Sequence, residues 1–316
     1  MCANNLGSIF GVKKSKVSDA PRVMVAGHLD EVGFMVKSIT DKGFIKVSMR
    51  GGISTNTLIS QRARLTLDNG QKLLGSVGAI APHLGTTSSV NLDALDFDFG
   101  FTSKADAENA GVKQGQMIVI DGPFQVLNDG RRLLAKAFDN RFGVFMVLEV
   151  ARYYADKELP YDLYVGATVQ EEVGLRGAQT ISHTINPDLA IALDCSPARD
   201  MLEGDEEGAL GKGILIRYFD RSMIAFPELL RFQEQMADKA KVLYQYFSSP
   251  GGTDAGAYHL HAAGVLTLTH CICARSLHTA ATVVDSGDIK GAKKVLFKML
   301  DTLDKKTIDG FRQYRR

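Results

Sequence analysis

Charge of one sign is the first thing this chain lacks. Its 37 lysines and arginines nearly cancel its 36 aspartates and glutamates, leaving a formal net charge of +1. That balance gives no electrostatic reason to expect nucleic acid or an anionic membrane as a partner. Cysteine is scarce too, with Cys2, Cys195, Cys271 and Cys273 making the full set. At this length they form no disulfide framework, and they lack the paired Cys-x-x-Cys units of a structural zinc site. There is no secretory leader and no apolar run of membrane length, so a reducing cytoplasm is the expected location. Internal repeats and low-complexity tracts are also missing. Gly251-Gly-Thr-Asp254-Ala-Gly256 is a tight polar loop, but it has neither the Gly-Lys-Ser/Thr ending nor the dinucleotide glycine spacing of a nucleotide site.

What is present reads as an ordinary globular protein: 316 residues, 45% hydrophobic and 23% charged, enough for one large domain and a smaller one. The most informative stretch runs from Tyr164 to Ala178. Tyr164 to Val169 is a short apolar run of buried-strand type, and it delivers the adjacent acids Glu171 and Glu172 before breaking at Gly174 and Gly177. Open α/β sheets place their ligands at the carboxyl ends of strands. Adjacent acids repel, so a cation or a shared proton would keep both there; a solvated Glu-Glu pair is the plainer alternative.

A second run, Val23 to Ala26, ends in Gly27-His28-Leu-Asp30. Residues two apart in an extended chain share a face, so Asp30 can reach the His28 ring and leave its other nitrogen for a metal. The alternative is an ordinary, partly buried polar histidine. Leu189 to Leu193 leads into Asp194, and Val265 to Thr269 precedes His278. Asp139 stands just before the apolar helix expected over Val144 to Ala155, where helix capping is the plain reading. That helix is apolar nearly all round, which predicts burial under other layers.

Between about Asp41 and Arg132 the texture changes to alternating or β-branched segments. They are separated by turn signals at Gly51-Gly52, Asp68-Asn-Gly70 and Asn128-Asp-Gly130. This predicts a small, mostly β, barrel-like domain over 41–131, with a short helix near Ala105 to Ala110. His83 within it has no acidic neighbour and reads as structural. Strands and helices alternate on both sides, so 1–40 and 132–316 form a three-layer α/β/α domain. Pro227 to Lys241 and Asp288 to Leu303 are amphipathic helices.

If the apolar runs are sheet strands, His28, Glu171, Glu172, Asp194 and His278 can collect at one rim, and Asp139 can join them. Two imidazoles with several carboxylates suit Zn²⁺, Co²⁺ or Mn²⁺ better than Ca²⁺, and serve two ions only if one carboxylate bridges.

The chain resembles the co-catalytic metallo-aminopeptidases that include glutamyl aminopeptidases and the tetrahedral, self-compartmentalising aminopeptidases, some of whose relatives carry a cellulase M or endoglucanase label. The likeness rests on six motifs in the family's order, spread over nearly the whole chain. They are Gly-His28-Leu-Asp30-Glu-Val-Gly-Phe, Lys-Ala-Phe-Asp139-Asn-Arg, Gln-Glu171-Glu172-Val-Gly-Leu-Arg-Gly-Ala, Leu-Asp194-Cys-Ser-Pro-Ala, Gly-Gly-Thr-Asp254-Ala and Arg-Ser-Leu-His278-Thr. The resemblance implies His28 and Asp194 as ligands of one metal, Glu172 and His278 of the other, and Asp139 as the bridge. It implies Asp30 as the carboxylate orienting His28 and Glu171 as the general base that takes a proton from water and passes it to the leaving amine. It further implies two divalent ions per chain, zinc first with cobalt or manganese as alternatives, and short peptides as substrates. The inserted domain would build a homo-oligomer, dimers assembling to a dodecamer. Two departures stand out. Relatives carry helical and strand material ahead of Met1, which implies a truncation or an internal start, and Thr279 follows His278 where many have serine. Two other functions are kept in view: a metal-free glycosidase using a carboxylate pair, and a non-catalytic assembly protein retaining the fold.

Overall fold

The structure is a computed structural model that describes residues 1–79, 91–128, 130–204 and 207–313. His83 lies outside the described residues. The amino-terminal part forms β1 (Cys2–Ala3), β2 (Ile9–Lys13) and β3 (Arg22–His28). Next come β4 (Gly33–Ile39), β5 (Ile45–Arg50), β6 (Arg62–Thr66), β7 (Lys72–Val77), β8 (Phe97–Asp98), α1 (Lys104–Asn109) and β9 (Met117–Ile120). The chain continues through β10 (Gln125–Val126), β11 (Arg132–Ala135), α2 (Phe138–Tyr154), β12 (Asp162–Thr168), α3 (Arg176–Ile185) and β13 (Leu189–Pro197). It closes with β14 (Ile214–Asp220), α4 (Pro227–Ala240), β15 (Tyr244–Ser249), α5 (Ala255–His259), β16 (Leu266–Ala274), β17 (Thr282–Asp285), α6 (Ser286–Thr302) and α7 (Lys305–Arg312).

Eight strands form one sheet in the order β1-β2-β12-β3-β13-β16-β14-β15. Its centre, β12-β3-β13-β16, is parallel, with antiparallel joints at β2 and β14. Val23, Met24, Val25 and Ala26 are all buried because both faces of β3 are covered, which is why this strand is a continuous apolar run. On one face lie α2, α4 and α6, where Phe142, Met146, Phe232 and Leu296 share a core with Val25 and Ile191. On the other lie α3 and α5, where Ile181 and Tyr258 pack with Met24 and Ala190. The expected three layers are present.

Strands β4, β5, β8, β7, β6 and β9 close into a barrel around Phe34, Ile45, Leu65, Phe97 and Ile118. Inward residues alternate with outward ones, as Phe34 and Val36 do on β4. The barrel therefore begins at Gly33 rather than 41 and its last strand ends at Ile120. Beyond it, β10 and β11 pair with β17 from the far end of the chain. A second difference concerns α2, which was expected to be buried all round. Its stripe of Phe142, Met146, Val150 and Tyr154 faces the sheet, while Leu148 is 64% and Phe145 43% exposed, because only one layer covers it. Among the described residues no helix is long and apolar enough to cross a membrane.

Candidate metal centre

Strand ends deliver most of the site. His28 closes β3 and is level with Thr168, the last residue of β12. The chain then turns through Gln170, which takes a left-handed φ of 60°, and presents Glu171 and Glu172. Asp194 lies within β13, three residues before its end. His278 follows β16 and is itself left-handed, with φ 59°. Such conformations are strained for residues with a Cβ and persist where surrounding contacts enforce them. Asp139 does not cap α2. Its own φ and ψ are non-helical, Ala137 occupies the cap position without a side-chain bond, and the Asp139 carboxylate faces the sheet.

The seven residues singled out in the sequence converge. His28 Nε2 lies 3.0 Å from Asp139 Oδ1, 3.9 Å from Asp194 Oδ1 and 4.0 Å from Glu171 Oε2. His278 Nε2 lies 3.2 Å from the other carboxylate oxygen, Asp139 Oδ2, and 3.5 Å from Glu172 Oε2. Asp139 thus turns one oxygen to each imidazole. Two triplets, His28–Glu171–Asp194 and His28–Asp139–Glu172, bring their ligand atoms within 4.8 Å of one another.

Each imidazole is anchored through Nδ1. His278 Nδ1 meets the Gly52 carbonyl at 2.7 Å, from the barrel side, and His28 Nδ1 meets the Asp30 backbone carbonyl at 3.1 Å. The Asp30 carboxylate is further from that ring, at 3.6 Å. It accepts instead from the backbone N–H groups of Glu171 and Glu172, both at 3.1 Å. The expected partnership of Asp30 with His28 is therefore made mainly by its carbonyl, while its side chain holds the Glu171-Glu172 turn.

This arrangement fits a cation. A carbonyl only accepts, so an Nδ1 anchored on one carries the proton and leaves a lone pair on Nε2. Both Nε2 lone pairs then point at carboxylate oxygens, and Asp139 Oδ1 and Glu172 Oε1 are buried without a hydrogen-bond partner among the described residues. Such a contact needs positive charge between its atoms. The protonation preferences express the same demand. Burial pushes the Glu171 and Asp194 carboxyls well above the usual range, and the nearby acids push further, while Glu172 rises to about 7 by burial and the Asp139 charge. Burial opposes charge on His278, but Asp139 and Glu172 outweigh it and lift the ring to about 9; His28 rises likewise beside Asp139 and Asp30. Mixed imidazole and carboxylate donors suit zinc, cobalt or manganese.

Two contributors, Gly52 and Arg217, escaped the sequence reading, and a third, Asp254, appeared there in a motif without a role. Gly52 acts through its backbone, which leaves no sequence signal. Asp254 is buried beneath the strand ends, where it accepts from the Thr168 and Tyr258 hydroxyls. Arg217 lines a cavity of about 900 Å³ over the cluster, and a lone arginine inside the apolar run of β14 was the available signal.

A covered sheet with imidazoles and acids gathered at one rim is the architecture of a metal-dependent hydrolase. The chain belongs to the M42 glutamyl aminopeptidase family, whose profile matches residues 7–295. It is 40% identical over 316 residues to the glutamyl aminopeptidase of Lactococcus lactis subsp. cremoris, covering 98% of this chain and 89% of that protein. It is 32% identical over 308 residues to the lysyl aminopeptidase of Pyrococcus furiosus, covering 95% and 86%. The fold matches the TET1 peptidase of Pyrococcus horikoshii with a TM-score of 0.87 at 30% identity, covering 96% and 89%; that peptidase is described as assembling into a tetrahedron or a large octahedral shell. The chain is thus a peptide hydrolase of an aminopeptidase family.

Proposed function

We propose that the chain removes amino-terminal residues from short peptides at a centre of two divalent ions, zinc first and cobalt or manganese as alternatives. The observation that carries this is Asp139, whose two oxygens face His28 at 3.0 Å and His278 at 3.2 Å with a further acid beside each ring. His28 and Asp194 would hold one ion, His278 and Glu172 the other, and Asp139 both. The ions would polarise the first peptide carbonyl and lower the pKa of water. Glu171 is the general base: it lines the cavity beside His28, takes a proton from the attacking water and passes it to the leaving amine. Asp30 fixes the backbone from which Glu171 projects. The tetrahedral assembly of the Pyrococcus horikoshii relative supports a homo-oligomer, a dodecamer, built through the barrel.

Glu171→Gln removes the base and keeps the ligands. Elemental analysis is expected to find two ions per chain in that variant while turnover of an aminoacyl amide drops by about 10³-fold. Near-normal turnover would reject the assigned role. Asp139→Ala is expected to empty both positions, and two ions still bound would exclude the bridge. Light scattering should give twelve chain masses; a monomer would refute the assembly.

A further inference from the structure

We propose that Asp254 is a positioning residue for the metal centre: its buried charge, on the His28 side, strengthens the hold on the ion that His28 and Asp194 would share. The proposal rests on the two-ion reading above. It gives a role to the Gly-Gly-Thr-Asp254-Ala motif, which that reading leaves without one.

Asp254 is 3% exposed and stands at the N-cap of α5, where helix capping would be its plain role. Its side chain makes no capping bond. It turns to β12 instead, where Oδ2 accepts from the Thr168 hydroxyl and, at 3.3 Å, from the Tyr258 hydroxyl of its own helix. Oδ1 is buried and meets no donor among the described residues. No lysine or arginine among them pairs with this carboxylate.

The hydrogen bonds do not account for the charge. A neutral amide oxygen would accept from both hydroxyls and tie α5 to β12 equally well. An ionised carboxylate in that place is taken out of water with two neutral donors as its only compensation. That is unfavourable unless positive charge lies close by.

The register of the sheet shows where such charge belongs. Thr168 is paired with His28 across β12 and β3, and the Thr168 carbonyl accepts from Leu29 N at 2.8 Å. A single residue therefore links Asp254 to the strand end that carries His28. His28 is also the first group to oppose the effect of burial, which raises the Asp254 carboxyl to about 6. His278 enters from the barrel side, anchored on Gly52, and Asp254 makes no hydrogen bond to that half among the described residues. With a divalent ion at His28 the Asp254 charge is matched, and it raises the affinity for that ion without coordinating it.

The test is competition at pH 8 between the full chain and a chromophoric zinc chelator. Asp254→Asn keeps the size and a hydroxyl acceptor and removes the charge. One of the two zinc affinities is expected to fall by about 10- to 100-fold while the other stays at the wild-type value. In excess chelator this variant should melt at or above the wild-type temperature, because the unmatched charge is gone. Tyr258→Phe removes one hydrogen bond and keeps the charge, so both of its zinc affinities should equal those of wild type. Unchanged affinities in Asp254→Asn overturn the proposal alone, as does an equal fall in both. A chain that melts lower or fails to fold in chelator, or a matching loss in Tyr258→Phe, assigns Asp254 to the scaffold and overturns it too. A wild type that never holds two ions overturns the two-ion reading together with this one.

Discussion

Asp30 serves the site through two different groups. Its carbonyl anchors the His28 ring at 3.1 Å and its carboxylate accepts two backbone N–H bonds from Glu171 and Glu172. Burial would raise the Asp30 pKa, but His28 and the two N–H donors outweigh it and hold the carboxyl below its ordinary value. Replacing the side chain leaves the carbonyl on the His28 ring in place and releases chiefly the turn, together with the longer 3.6 Å contact of the carboxylate with that ring. Asp30→Ala is therefore expected to fold and to keep His28 oriented, while Glu172 and Glu171 lose their fixed positions. Residues that orient metal ligands usually cost about 10- to 100-fold in affinity when removed. Competition with a chelator should show a loss in that range, and unchanged affinity would mean that the turn holds without Asp30.

At the scale of elements, β3 and α2 meet at two glycines, and this contact sets Asp139 against His28. A Cβ on Gly27 would lie 2.7 Å from the Gly143 backbone, and one on Gly143 would lie 2.4 Å from Asn140 Oδ1. Asn140 accepts from Gly143 N and donates to the Leu193 carbonyl, both at 2.7 Å, so it ties α2 to β13 beside Asp194. Gly143→Ala should lose about 1–3 kcal/mol by overpacking, and should also weaken metal binding because Asn140 neighbours Asp139. A melting curve and a metal titration on one variant check both, and a change in neither would show that the contact relaxes freely. What the sequence made legible follows the same physics. Strands β3, β12 and β13 are apolar on both faces, so their runs and the charged residues near their ends could be read directly. Strand β1 has two residues and no periodicity, and β2 exists by pairing with β12, about 150 residues further along the chain. The barrel boundary blurred because only four residues separate His28 from β4, too few for a linker signal. Asp139 read as a cap because local sequence contains no trace of His28 and His278, which decide where its carboxylate goes.

Over the whole molecule, the barrel is part of the site as well as of any assembly, since Gly52 holds the His278 ring and Glu31 pairs with Lys136 across the junction. Away from that junction, the large domain buries His270 between the sheet and the helices α4 and α6. Nδ1 accepts from Gln233 Nε2 and Nε2 donates to the Ala292 carbonyl, both at 2.9 Å, which fixes a neutral ring. Burial, only partly offset by the Ala292 bond, lowers this histidine to about 4 from an ordinary 6.5. The unfolded chain therefore binds the proton first, and stability from this group falls as pH drops from 6.5 through 4, by about 3 kcal/mol in full. Asp254 and Asp288 work in the opposite direction: burial raises each to about 6, so the folded state holds their protons longer and gains stability as pH falls from 6 toward 4. The wild-type profile mixes these opposing slopes, so the histidine is isolated by difference. His270→Gln retains an acceptor and a donor but cannot titrate. Urea unfolding of both proteins in chelator, from pH 7 to pH 4, should show the variant gaining on wild type as acid is added. A constant difference across that range would mean that His270 is not the group held neutral by the fold.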